Sequence, residues 1–361
     1  MIKRILHISP DFNYSCGMSK LVYLTLSYFN NRRNYENHFI TNGGDSLERL
    51  NELKRVKLHV FKFSKGVKNI LYIKKFYKDV KDYCRNSEID IIHTYHRFPE
   101  YVAAKISEET RIKSVGTVLS FVKGFKKISF RSDKLIAVSN AVTKQLVTEF
   151  NVEQKKIITM YLPKEIINGK QYNNLKSHFG IQDDKKVLLF VGRINFIKNI
   201  DNLLKAYELV YEGFRDVILV ICGSMESKKI SNIINNVKAP LKIFQSLKNI
   251  QMLFSIADVI VLPSRVDAFP FVMIEAGSFQ KPFIGGSTGG IAEFIEDGID
   301  GLLVEPENPN QLADKILFLL NNEKTAEQLG YNLYKKVNKK CDINNYFSQV
   351  EAIYNSLYPG R

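Results

Sequence analysis

Short apolar runs alternate with helix-length amphipathic stretches along almost the whole chain, and the alternation occurs in two successive series. That rhythm predicts βαβ units and parallel sheets. Strands are expected at 5–8, 37–40, 57–61, 89–93, 114–117 and 135–138. A second series follows at 187–191, 217–221, 241–244, 259–262, 282–284 and 301–304. Helical periodicity lies between many of them, at 19–29, 70–84, 141–150, 200–211, 250–257 and 311–320. A polar, Asn-rich stretch at 166–176 separates the series and reads as a linker. The expected fold is α/β, two doubly wound Rossmann-like domains facing a cleft. The first spans 1–165 and the second 166–341, with a helix at about 342–361 free to pack back on the first. A chain of 361 residues fits two such units.

Composition narrows the class. Hydrophobic content of 45% supports two cores, and no segment reads as low-complexity. No uninterrupted apolar run reaches the roughly 18 residues of a membrane span. The first ten residues read as a buried strand, not a signal peptide. Cys16, Cys84, Cys222 and Cys341 lie far apart and form no metal-type pair, so reduced thiols in the cytoplasm are expected. Charge is uneven. Up to Glu165 there are 30 Lys and Arg against 16 Asp and Glu, and beyond it 22 against 21. The excess in the first half points to an anionic partner, a membrane surface, a phosphorylated acceptor or nucleic acid, or else is ordinary solubilising charge. No recognisable nucleic-acid motif accompanies it, so nucleic acid is not the expected partner.

The chemistry-bearing residues are concentrated in the second half. The apolar run at 187–191 ends in Gly192-Arg193, with Lys198 five residues on. A side chain emerging at the C-terminal end of a parallel strand stands where ligands of such sheets bind. A guanidinium and an ammonium there can neutralise a diphosphate, although Lys198 alone would read as a solvated charge. The run at 259–262 leads into Pro263-Ser-Arg-Val-Asp267-Ala-Phe269-Pro270-Phe271-Val272-Met273-Ile-Glu275. Pro270 suits the first position of a helix, so the amides of Phe271, Val272 and Met273 would face an anion. Asp267 in the loop can accept hydrogen bonds from sugar hydroxyls, and Glu275 can take both hydroxyls of a ribose. Gly289-Gly290 would let backbone pass close to a ligand or supply φ > 0, or simply form a turn.

These pieces, with Ala257-Asp258, Gly-Gly-x-x-Glu293 and Asp297-Gly-x-x-Gly301-Leu-Leu-Val, resemble the C-terminal domain of retaining family 4 glycosyltransferases of GT-B fold. The first half resembles the family more loosely, through Gly17 before a helix, Asp90-Ile-Ile-His93 and Ala137-Val-Ser139-Asn-Ala. The resemblance implies transfer of a sugar from a nucleotide diphosphate sugar with retention of configuration, without a divalent metal or other cofactor. It implies Asp267, Arg193 and Lys198 as catalytic residues. The implied donor-binding set is Gly17, Gly192, Arg193, Lys198, Asp267, Phe269, Phe271, Val272 and Glu275. His93 and His96, at a strand exit in the first half, are the acceptor-side candidates.

Three departures stand out. Family members usually carry Glu where this chain has Asp267, which shortens the reach to the sugar by one methylene. The His that often follows the strand at 114–117 is absent from Thr117-Val-Leu119-Ser120, and Leu162-Pro163 replaces a usual Asn-Gly. They fit an unusual donor or acceptor, or the alternative of a catalytically silent nucleotide-sugar-binding protein. The acceptor expected is a glycan or lipid-linked molecule of bacterial surface polysaccharide synthesis. Two stretches mix rings with cations, 65–81 and 121–134. The second holds Phe121, Phe125 and Phe130 beside Lys123, Lys126, Lys127 and Arg131, as at an anionic bilayer surface on the inner face of the cell membrane.

Overall fold

The computed structural model describes residues 2–62, 70–166, 175–245 and 247–358. The chain divides into two compact units, Met1–Pro163 with Asn344–Arg361, and Lys164–Ile343. Most of the 166–176 stretch, and the start of the 65–81 stretch, lie outside the described residues.

In the first unit the order is β1 (Lys3–Ile8), α1 (Gly17–Asn30), β2 (Tyr35–Thr41), β3 (Val56–Val60), α2 (Ile70–Asn86), β4 (Ile91–Thr94), α3 (Arg97–Glu109), β5 (Lys113–Val118), β6 (Lys134–Ala137), α4 (Asn140–Phe150) and β7 (Ile157–Thr159). All its strands pair in parallel, in the spatial order β3-β2-β1-β4-β5-β6-β7. The second unit runs α5 (Leu175–His178), β8 (Lys186–Val191), α6 (Ile200–Gly213), β9 (Val217–Cys222), α7 (Lys228–Asn235), β10 (Leu241–Phe244), α8 (Gln251–Ile256), β11 (Val259–Leu262), α9 (Phe271–Ser278), β12 (Phe283–Gly286), α10 (Gly289–Phe294), β13 (Leu302–Val304), α11 (Pro309–Asn321) and α12 (Glu323–Lys340). Its strands stand in the order β10-β9-β8-β11-β12-β13, again parallel. Both sheets are therefore doubly wound, with the order reversing between β1 and β4 and between β8 and β11.

Local chemistry accounts for the elements. The central strands are covered on both faces, so β9 is buried at every residue. In α11 the Asn308 side chain caps the Gln311 amide, Pro309 stands in the first turn, and Leu312, Ala313, Ile316, Leu319 and Leu320 form the buried stripe. In α4 the Ser139 hydroxyl caps the Val142 amide, and Asn151 ends the helix in a left-handed conformation. The strand β7 is absent from the sequence expectation because it has three residues, only Ile157 of them buried, and follows a basic turn. The helices α3, α5, α7, α10 and α12 likewise have no counterpart among the expected stretches.

Helix α13 (Ile343–Leu357) belongs almost wholly to the first unit. Phe347 stacks on Tyr28 of α1 at 4.7 Å, and the Tyr354 hydroxyl lies 2.6 Å from His93 Nδ1. Among the described residues no helix is long and apolar enough to cross a membrane.

Candidate active site

Ligands of doubly wound sheets bind beyond the carboxyl ends of the strands where the order reverses. In the second unit that point is the β8/β11 pair, and the chain leaving these strands carries most of the residues singled out above. From β8 it passes through Gly192 at φ 153. The Gly192 amide donates to the Cys222 carbonyl at 2.9 Å, and a Cβ on Gly223 would lie 1.8 Å from the Gly192 carbonyl oxygen. Only glycine at 223 lets these two strand exits meet. Arg193 then emerges half-exposed, its guanidinium 3.6 Å from Glu226. Asn195 donates to the same Glu226 at 2.7 Å and accepts from the Lys198 amide at 3.0 Å, which orders the turn leading to Lys198.

Lys198 and Asp267 form an ion pair. Lys198 Nζ is 2.5 Å from Asp267 Oδ2, and the two side chains are only 15% and 10% exposed. The buried Ser264 hydroxyl donates to the same oxygen at 3.3 Å. The reading that set Lys198 on a phosphate and Asp267 on a sugar treated them as separate, whereas here each is the other's partner. A largely desolvated carboxylate needs a nearby cation, and the adjacency of β8 and β11 supplies one.

A second network holds the two loops in register. Arg265 grips Asp201 with both terminal nitrogens, at 2.8 and 2.9 Å, and reaches Glu307 through Nε at 2.5 Å. Its backbone amide donates to the Ile197 carbonyl at 2.9 Å. Burial alone would raise the Asp201 pKa, but the Arg265 contact outweighs it and the net shift is downward. Asn199 is fully buried and left-handed, and its amide nitrogen donates to the carbonyls of Pro263, at 2.9 Å, and Pro306. Thus Asn195, Asn199, Gly223 and Arg265 position the pair. None of the four was singled out from sequence, although Gly223 ends an apolar run just as Gly192 does.

Helix α9 begins one residue later than expected. Pro270 is its N-cap, so Phe271, Val272 and Met273 are the first three helical residues, and no side chain of Pro270 caps them. The side chains of Phe269, Phe271 and Val272 are buried, and Phe269 packs edge-on against Phe294 at 5.2 Å. Glu275, half-buried in the next turn, lies near Cys222 at the end of β9. Burial first, then the Glu275 charge, pushes the Cys222 thiol up to about 12. Of the Gly289-Gly290 pair, Gly289 takes a left-handed φ of 49 and Gly290 lies against protein backbone. A Cβ there would lie 1.9 Å from the Ala268 carbonyl oxygen, and the Gly290 amide donates to the Asp267 carbonyl at 3.0 Å. What passes close is the acidic loop itself.

In the first unit, Gly17 is the exposed first residue of α1, beyond β1. His96 caps α3, accepting from the Phe98 amide at 3.3 Å, and is exposed. It shares a cavity of about 190 Å³ with Thr117, Leu119 and Ser120 at the exit of β5. His93 does not serve as an acceptor-side candidate. It is fully buried, with Nδ1 at the Tyr354 hydroxyl and Nε2 at the Thr117 hydroxyl, 2.7 Å away. Burial, then the neighbouring His7, holds it well below the ordinary histidine range. The 121–134 stretch is also less exposed than expected. Phe130 is buried against Phe150, Phe121 is half-buried, and Arg131 pairs with Glu108 at 2.7 Å. Phe125 and Ile128 are the apolar residues that stand out, beside exposed Lys123, Lys126 and Lys127.

Two doubly wound units with charged strand exits of this kind define a GT-B architecture, and both halves match known domains. Glycosyl transferases group 1 matches residues 171–336, and Glycosyltransferase Family 4 matches residues 17–163. The chain belongs to the family 4-like GT-B glycosyltransferases and is an enzyme of that class. It is 30% identical over 340 residues to an uncharacterized glycosyltransferase of Methanocaldococcus jannaschii, covering 90% of this chain and 91% of the relative. A capsular polysaccharide biosynthesis glycosyltransferase of Staphylococcus aureus, CapM, is 25% identical, with 91% and 92% covered. Among solved structures, Anabaena HepE in complex with UDP-glucose superposes with a TM-score of 0.83 at 16% identity, over 98% of this chain and 99% of that one. A glycosyltransferase of Rickettsia africae gives 0.82 at 21% identity, with 99% and 98% covered.

Proposed function

We propose that this glycosyltransferase moves a sugar from a nucleoside diphosphate sugar to a hydroxyl of a glycan or lipid-linked acceptor, with retention of configuration and without a metal. The observation that carries the proposal is the Lys198–Asp267 pair, set beside Arg193 and the start of α9 at one strand-order reversal. An ammonium has three donors, so Lys198 can keep Asp267 and still reach a phosphate oxygen. Arg193 and the first amides of α9 add positive charge where the leaving diphosphate gains negative charge. Asp267 then accepts from hydroxyls of the donor sugar, and Glu275 from those of the ribose. With no base assigned to the acceptor, a donor phosphate oxygen takes its proton on the face the leaving group vacates, which gives retention.

The HepE complex with UDP-glucose supports a nucleotide-sugar donor, and the CapM relative supports a role in surface polysaccharide synthesis. The test is transfer by purified protein from a panel of UDP-, GDP-, ADP- and TDP-sugars, with the product anomer read by NMR and EDTA present in a parallel reaction. A retained anomer, made equally well with EDTA, is the expected result. An inverted anomer overturns the mechanism. Tight donor binding with no transfer to any acceptor would favour the silent binder, which the Lys198–Asp267 pairing and the short Asp267 side chain also fit.

A further inference from the structure

The first unit contains a second, larger cavity of about 510 Å³, within the ~300–1,000 Å³ of small-molecule sites. Its walls are Ile73 and Tyr77 of α2 and Phe98 and Tyr101 of α3, and its mouth is formed by Phe125 and Ile128. The charged residues lining it are Lys74, Arg97 and Lys105, and among the described lining residues there is no carboxylate. The nearby Glu109 is already engaged by the Tyr77 hydroxyl and by Lys81 at 2.6 Å.

Specific contacts fix the turn that carries Phe125. Phe125 is 50% exposed at φ 55, a left-handed conformation that bulky residues rarely adopt. Arg97 fixes that turn by donating to the carbonyls of Lys123, at 2.9 Å, and Gly124, at 3.1 Å, with its guanidinium 5.4 Å from the Phe125 ring. Strained backbone clusters at ligand clamps, and exposed apolar surface marks binding grooves. Arg97 is thus committed to the turn. Lys74 and Lys105 remain to meet a ligand, and Lys105 Nζ lies 4.7 Å from the Tyr77 ring centroid.

We propose that this cavity binds a lipid phosphate, with its hydrocarbon chain against Tyr77, Phe98 and Tyr101 and its phosphate on Lys74 and Lys105. The argument is charge complementarity: an apolar hollow whose described lining carries cations and no carboxylate, in the half of the chain that carries almost all the excess positive charge. The inference rests on the proposed function only in taking this lipid as the carrier of the sugar acceptor.

The test is calorimetric titration of the whole protein with dodecyl phosphate below its micelle concentration, with dodecanol and inorganic phosphate as separate arms. Saturable 1:1 binding of dodecyl phosphate, and much weaker binding of each half alone, is expected. Lys74→Glu with Lys105→Glu should weaken it by roughly 10-fold or more. Ile128→Glu, at an exposed position, should also weaken it. Equal binding by all variants, or none by the wild type, overturns the proposal. Thermal unfolding of the same variants reports whether the first unit is intact and should be unchanged. If lipid phosphate binds but no sugar is transferred, the proposed function fails and this site stands.

Discussion

Asp267 and Glu275 are both carboxylates of one loop-and-helix segment, yet their surroundings differ. Asp267 is held by Lys198 and Ser264, while Glu275 lies a turn into α9 beside Cys222. Glu275→Ala should therefore weaken binding of the free nucleoside diphosphate. Asp267→Ala should spare that binding and abolish the extra affinity that the sugar adds. Calorimetry with both ligands separates the two, and equal losses in both variants would contradict the assignment. A second residue-scale prediction concerns His7, buried beside His93, with Nδ1 3.0 Å from the Tyr95 hydroxyl and Nε2 3.3 Å from Asn37. Burial, offset in part by Asn37, holds its pKa at about 3 against an ordinary 6.5. Between those values the unfolded chain binds a proton that the folded chain does not. Stability is therefore intact above pH 6.5 and falls as pH drops below it, by up to about 1.4 kcal/mol per pH unit for each such histidine. His7→Gln should flatten the slope between pH 6 and 4.5 by about that amount in denaturant titrations.

At the scale of elements, Gly223 is a sharp test. An alanine there would press its methyl into the Gly192 carbonyl and sit at φ 155, so the β8 exit must move by more than about 1 Å. Gly223→Ala should cost more than about 1 kcal/mol of stability and lower turnover by about 100-fold. Thermal unfolding and steady-state rates check both, and unchanged rates would mean the strand exits do not position Arg193 and Lys198. Elements of this kind were partly legible in the sequence. Central strands such as β9 read directly, because burial on both faces requires an unbroken apolar run. The short β7, with one buried residue in three, had no such signal. The turn residues Asn195 and Asn199 were illegible for another reason: their partners Glu226, Pro263 and Pro306 lie far off in sequence. The Lys198–Asp267 pair spans 69 residues and exists because β11 pairs with β8, which no local pattern specifies. His93 was misread for the converse reason, since a strand-exit position does not reveal that Tyr354 and Thr117 enclose it.

Across the whole molecule, the balance of 30 cations against 16 anions up to Glu165 is the feature that sequence alone displays best. With Phe130 buried and Arg131 paired, the surface it offers is narrower than the full stretch from 121 to 134. Lys123, Lys126 and Lys127, with Phe125 and Ile128, remain. Each cation near an anionic bilayer contributes about 1 kcal/mol, so three hold the protein weakly and reversibly. Co-sedimentation with anionic vesicles should fall as salt rises, and Lys123/Lys126/Lys127→Glu should abolish it at low salt. Equal binding of that variant and the wild type would leave a dissolved acceptor as the better reading.

The central claim is that the Lys198–Asp267 pair beside Arg193 drives departure of the donor diphosphate. The most direct measurement is the rate of nucleoside diphosphate release at saturating nucleotide sugar, comparing wild type with Lys198→Ala. Removing a donor that stabilises developing charge costs about 100-fold or more. The account predicts that loss, with donor binding still measurable and the protein folded. Release at the wild-type rate by the folded variant would contradict it.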